Sequence, residues 1–254
     1  MIRQADYFYS GEEQIFSLYY PPLMDKDVSE GVVICPPAPF EVLRSQRALR
    51  NLAQNLAKKG FHVLRLDYRG TGDSSGDSQT WNLEDWQSDI LASVNRLREV
   101  HGVQRVSVVG LRLGAALAWK ALQGKSIKRF VLWDPIFDGA EYFQQLTDTH
   151  KHLVEREPDR APFAREDSKP QLLGFALNPA WITELKDFRL DLPAAARGVI
   201  VHSQQQSENQ PIGNMKRIWV EADDQRWSDS GLLHIQSFAH SCVAAVEQAL
   251  EGRS

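Results

Sequence analysis

The chain has 254 residues, 43% of them hydrophobic, and a formal net charge of −4. That length allows one large α/β domain or two small ones. The dispersed basic residues argue against nucleic acid as a partner. No run approaches the ~18 apolar residues of a membrane span, and Met1 to Asp6 lack an apolar signal region, so a cytoplasmic protein is expected. Cys35 and Cys242 fall in a predicted strand and a predicted helix and read as buried free thiols, not as a disulfide or a metal site. No metal and no cofactor is expected.

Tyr7-Phe8-Tyr9 and Ile15 to Tyr20 predict an antiparallel hairpin at a sheet edge, turned by Ser10-Gly11. Gly31 to Cys35 is a short apolar strand stopped by Pro36-Pro37. Arg47 to Lys59 predicts a helix with Leu49, Leu52, Ala53 and Leu56 on one face and Gly60 at its end. Phe61 to Leu66 is the next strand, followed by the glycine-rich loop Asp67 to Gly76. Asn82 can cap a helix that buries Leu83, Trp86, Ile90, Val94 and Leu97. Further strands are predicted at Val106 to Val109, Arg129 to Trp133, Gly198 to His202 and Arg217 to Val220, with a closing helix from about Ser230 to Leu250. The segment from about Ile136 to Leu192 breaks the alternation, includes an exposed loop at Glu155 to Pro162, and is expected to be a lid on a single domain spanning 1–254. Alternating strands and helices imply an α/β fold, a mostly parallel sheet with helices on both faces, and a ligand site outside the carboxyl ends of the strands.

One stretch carries chemistry. Val106 to Val109 ends at Gly110, and Gly110 and Gly114 bracket Leu111-Arg112-Leu113 ahead of an Ala/Leu-rich helix. This strand-turn-helix context resembles the G-x-S-x-G nucleophile elbow of α/β-hydrolases, with Arg112 at the serine position. Asp67-Tyr68-Arg69-Gly70-Thr71-Gly72-Asp73-Ser74 is similar to the D-x-R-G-x-G-x-S loop of serine-aminopeptidase-like members. More narrowly, Pro36-Pro37 with Glu41 and Ser45-Gln46-Arg47, the elbow, and Leu132-Trp133-Asp134-Pro135 with Gly139 resemble exosortase-system-associated hydrolases of Gram-negative bacteria. Some members of that group look similar in carrying an arginine elbow. The resemblance implies the α/β-hydrolase fold over nearly the whole length and an exosortase-linked or surface-polysaccharide pathway.

It also implies a serine, an acid and a histidine in that chain order. Arginine stays protonated and is no nucleophile. The acid position, after the Gly198 to His202 strand, falls near the neutral Gln205, with Glu208 further on. The histidine position, after Arg217 to Val220, reads Glu221-Ala222-Asp223-Asp224-Gln225-Arg226-Trp227, and His234 falls in the predicted closing helix. The oxyanion loop is Pro36-Pro37-Ala38-Pro39-Phe40, whose prolines lack donors, while the Leu113 N–H stays available at a helix start. Serine-hydrolase chemistry is therefore expected to be absent.

Two roles remain open for Arg112. With the helix N-terminus it can bind a carboxylate or phosphate. Alternatively it is satisfied internally by Glu41, Asp134 or Glu221, because a buried cation needs an anion. The candidate ligand-binding set is Arg112, Leu113, Glu41, Asp134 and Trp227, with either an acidic small molecule or a protein partner as ligand. The rival is an esterase, thioesterase or acyltransferase with a non-standard set drawn from Glu41, Arg112, Asp134 and His202. Ser74 and Ser75 are expected in turn or capping roles, Asp67 and Asp73 in shaping their loop, and His150 and His152 in solvent. Trp81, Trp86, Trp119 and Trp133 fit core faces, and Trp227 is placed to wall the site.

Overall fold

The computed structural model describes residues 3–23, 29–156, 171–203, 210–221, 227–229, 231–232 and 235–252. Along the chain run β1 (Gln4–Ser10), β2 (Glu13–Tyr20), β3 (Glu30–Cys35), α1 (Pro39–Lys58), β4 (His62–Leu66), α2 (Leu83–His101), β5 (Arg105–Leu111) and α3 (Leu113–Leu122). There follow β6 (Arg129–Trp133), α4 (Gly139–Arg156), β7 (Gln171–Leu172), β8 (Phe175–Ala176), α5 (Pro179–Asp187), β9 (Val199–His202), β10 (Lys216–Trp219) and α6 (His240–Glu251). The main sheet has the order β1-β2-β4-β3-β5-β6-β9-β10. Strands β1 and β2 pair antiparallel, as do β2 and β4; every other pairing in this sheet is parallel.

A parallel sheet covered on both faces needs apolar residues at successive positions, and β5 supplies them. Val106 and Val108 pack with α2 and α3, while Val109 and Leu111 pack with α1 and α6. The α2 start is fixed by Asn82, whose side-chain oxygen accepts from the N–H groups of Glu84 at 2.8 Å and Asp85 at 3.0 Å. Arg69 bolts the following layers together: it pairs with the buried Asp89 of α2 at 2.6 Å and bonds Ser10 of the edge hairpin at 3.0 Å. Within the loop, Ser74 Oγ donates to the Asp67 carbonyl at 2.6 Å and accepts from the Phe16 N–H at 2.8 Å, so this serine holds the turn against β2. No helix among the described residues is long and apolar enough to cross a membrane.

Two boundaries differ from expectation. Helix α1 starts at Pro39, well before Arg47, because a proline at the first helical position gives up only a donor that the helix leaves unused anyway. Helix α6 starts at His240, not near Ser230. The chain before it is held to α1, with the Ser237 N–H on the Arg44 carbonyl at 2.8 Å and Arg44 Nη1 on the carbonyls of Leu232 and Ile235. The expected loop at Glu155 to Pro162 lies mostly outside the described residues, as do Ser230 and His234. Replacing Asn82 by alanine is expected to cost about 1 kcal/mol, read as a lower urea midpoint with an unchanged slope.

Candidate active site

The turn from β5 into α3 is set by backbone contact. A Cβ on Gly110 would meet the Ala115 Cα at 2.3 Å, and one on Gly114 would meet the Pro36 carbonyl oxygen at 2.0 Å. Only hydrogen fits at either position, so the helix crosses directly against β3 and β5. Arg112 sits between them at φ 56° and ψ −121°, a region that non-glycine residues rarely occupy. Its N–H donates to the Trp133 carbonyl at 2.9 Å, and its own carbonyl receives the N–H groups of Ala115 at 3.1 Å and Ile136 at 3.4 Å. Strand β6 and helix α3 thus hold the strained turn from both sides.

Arg112 is buried, and its Nε donates to Glu41 Oε1 at 3.1 Å. Glu41, in the first turn of α1, is fully buried and serves as a hub. Tyr142 of α4 donates to its Oε2 at 2.8 Å, and Ser228 Oγ donates to Oε1 at 2.5 Å. The guanidinium carbon also lies 5.3 Å from the Tyr142 ring centre. Burial opposes the charge on Arg112, but Glu41, Tyr142 and Asp134 outweigh it and hold the guanidinium above its ordinary value. Neither Nη of Arg112 donates a hydrogen bond among the described residues, and the N–H of Leu113 at the start of α3 likewise has no acceptor there.

Asp134 ends β6 at φ 44° and is also fully buried. Its Oδ1 accepts the Ser203 N–H at 2.7 Å, and its Oδ2 accepts the Ser203 hydroxyl and the Trp227 indole N–H, the latter at 2.8 Å. Burial pushes its carboxyl up, against the pull of these donors and of Arg112. Trp227 is fully buried and meets Trp133 edge-on at 5.5 Å. Sequence reasoning placed it as a wall of the site; it is a core residue that bonds the acid.

The structure brings Arg112, Glu41 and Leu113 together and gives Asp134 and Trp227 to each other. Glu221 is exposed. His202 is buried, stacks on Trp219 at 4.6 Å, and neither ring nitrogen has a partner among the described residues. Burial, with Arg217 nearby, pushes its pKa down to about 4. The rival set of Glu41, Arg112, Asp134 and His202 is therefore not assembled as a relay. His150 is not solvated as expected: it is half-buried and its Nδ1 accepts the Leu173 N–H at 3.2 Å, tying α4 to the β7–β8 turn. Burial pushes both free thiols up, Cys242 to about 12. Tyr142 and Ser228 were missed; nothing local marks residues recruited from an insertion and a distant loop. The acid candidates Gln205 and Glu208 and the stretch Ala222 to Arg226 lie outside the described residues.

The profile of the serine aminopeptidase family, S33, matches residues 44–169. The chain has the α/β-hydrolase fold. No curated protein matches it significantly. Among solved structures, the ferulic-acid-bound Est1E of Butyrivibrio proteoclasticus is 16% identical with a TM-score of 0.66, covering 97% of this chain and 100% of that one. Proline iminopeptidase from Mycobacterium smegmatis is 12% identical with a TM-score of 0.60, covering 98% of each chain. The mouse α/β hydrolase domain-containing protein 10 is 16% identical with a TM-score of 0.58, covering 99% of this chain and 100% of that one. At these identities the likeness is one of fold. Among the described residues of this fold, no serine hydroxyl donates to a histidine.

Glu41→Ala would strand a buried guanidinium, at an expected cost of about 3–5 kcal/mol. The double variant Glu41→Leu/Arg112→Met should lose less than the sum of the singles, measured as a double-mutant cycle by chemical denaturation. His202 has a second, pH-linked consequence. Its folded pKa of about 4 lies below the ordinary value of 6.5, so the unfolded chain takes up the proton first. Stability from this residue is present above about pH 6.5 and lost as pH falls towards 4, on the order of 3 kcal/mol in full. Denaturation midpoints followed across that window should fall less steeply for His202→Phe than for the wild type.

Proposed function

We propose that this chain is a non-hydrolytic α/β-hydrolase-fold protein that works by binding an acidic group at the elbow. The observation that carries this reading is Arg112 in the nucleophile position, with its Nε committed to Glu41 and both Nη groups and the Leu113 N–H without acceptors among the described residues. These donors lie at the N-terminus of α3, where a helix favours an anion. Asp134 already contributes a carboxyl nearby, so an incoming anion is best accommodated when Asp134 takes up a proton. Its raised pKa favours that exchange. A carboxylate or phosphate could come from a small molecule or from a protein partner. We further propose that residues 136–192 act as a lid on a single domain spanning 1–254, because Tyr142 reaches from α4 to Glu41. The resemblance of Pro36-Pro37, the elbow and Leu132 to Pro135 to exosortase-system-associated hydrolases supports an exosortase-linked bacterial pathway, and a cytoplasmic location is part of the same proposal.

The test has two arms. The wild type is treated with a fluorophosphonate probe and with nitrophenyl esters; no labelled serine and no hydrolysis above buffer are expected, and a labelled serine would overturn the non-hydrolytic reading. Thermal shifts are then recorded against carboxylates, acyl phosphates and sugar phosphates. A ligand should raise the Tm of the wild type but not of Arg112→Met, and more so at mildly acidic than at mildly alkaline pH. If no anion shifts the wild type while Arg112→Met is strongly destabilised, the elbow is a structural ion pair and the anion-binding reading fails.

A further inference from the structure

Arg65 stands on β4, inside the sheet, and the charge its side chain carries acts on the Asp67 carboxyl two residues along the chain. Its neighbours Leu64 and Leu66 point into the core on the α2 side, so strand alternation turns Arg65 to the opposite face. Helices α1 and α6 cover that face over β3, β5 and β6. Over the edge hairpin they leave a cleft of about 400 Å³.

Register arranges the lining of this cleft. Leu18 lies directly across from Arg65, and Ala5 directly across from Leu18. One step along, Phe16 lies across from Tyr7, and the Phe16 carbonyl receives the Asp67 N–H at 3.0 Å. Tyr7 is 52% exposed and meets the Phe16 ring edge-on at 5.3 Å. Arg3, Gln46 of α1 and Asp73 also line the cleft. Register thus sets Arg65 level with Leu18 and Asp67 level with Phe16, one same-face step further along, where Asp67 Oδ2 accepts the Asp73 N–H at 3.2 Å.

This charge pattern discriminates among ligands. A simple anion attracted by Arg65 meets the two aspartates, and a simple cation attracted by Asp67 meets the two arginines. A molecule carrying both signs satisfies both kinds of group. Burial also pushes the Asp67 carboxyl up, so an ammonium beside it would favour the ionised form. The volume lies within the ~300–1,000 Å³ range of small-molecule sites.

We propose that this cleft is a binding site for an amino-acid-sized zwitterion with an apolar side chain, its carboxylate on Arg65 and Arg3, its ammonium facing Asp67 and Asp73, and its side chain on Phe16 and Leu18. The site is separate from the elbow and does not depend on what the elbow binds. Isothermal titration of the full chain with phenylalanine tests it, alongside phenylalanine amide, which lacks the carboxylate, and N-acetylphenylalanine, which lacks the ammonium. Phenylalanine should bind, and each analogue should bind at least about tenfold more weakly, the scale of losing one charge-assisted hydrogen bond. Arg65→Gln and Asp73→Asn should each weaken phenylalanine to a similar extent. Because both analogues are read on the wild type, the outcome stands even if Arg65→Gln folds poorly. Equal binding of the N-acetyl compound would make the cleft a plain anion site, and equal binding of the amide a plain cation site. Either result, or no binding of phenylalanine, overturns the proposal.

Discussion

The buried pair of Arg112 and Glu41 is the constraint around which the upper edge of the sheet is organised. A buried guanidinium at a helix N-terminus needs a counter-charge. Glu41 supplies it from the first turn of α1. Once fixed there, its two oxygens collect donors from two further segments, Tyr142 of α4 and Ser228 beyond β10. One ion pair thus joins the elbow, the first helix, the inserted segment and the closing loop. Pairs of this kind contribute little net stability compared with apolar packing. Their consequence is arrangement: separating any of these segments exposes a charge that the others have buried.

The strained backbone at Arg112 shows that the elbow is maintained by its surroundings and not by the residue in it. Gly110 and Gly114 let α3 lie against β3 and β5, and the Trp133 carbonyl fixes the Arg112 N–H. A serine or an arginine meets the same steric demand there. The side chain, by contrast, changes what the turn can do. A hydroxyl beside a base can attack, whereas a guanidinium can only donate and carry charge.

Much of the fold was legible because its signals are local. The apolar runs of β3 to β6, the Asn82 cap and the bracketing glycines each reflect one short-range rule, and each element stands where its rule puts it. The early start of α1 was hidden because prolines read as breakers, although one of them fits the first helical position. The late start of α6 was hidden because Ser237 is held by α1, a contact between residues far apart in sequence. The site divides in the same way. Arg112 was visible from its position between two glycines, and Glu41 emerged as one of several possible partners for a buried cation. Choosing among Glu41, Asp134 and Glu221 required the crossing of α1 over the sheet, which no spacing encodes. Trp227 was placed correctly in the chain but its environment was misjudged, since packing on Trp133 depends on how the last loop returns.

Asp134 and Trp227 carry the argument one step further. In the hydrolase arrangement, an acid orients a histidine through a hydrogen bond, and the far nitrogen of that ring then takes the proton. Here a buried carboxylate at the carboxyl edge receives an indole N–H at 2.8 Å from the loop where the histidine is expected. The contact joins a ring donor, a buried acceptor and a packed aromatic neighbour. Indole has one N–H and no second nitrogen, so it cannot accept a proton from anything. This contact serves packing and cannot relay a proton. Arg112 does the same at the elbow, retaining a turn that its own side chain cannot use for attack. Both side chains are held by partners, Arg112 by Glu41 and Asp134 by Trp227 and Ser203, so each position contributes to how the carboxyl edge of the sheet is packed.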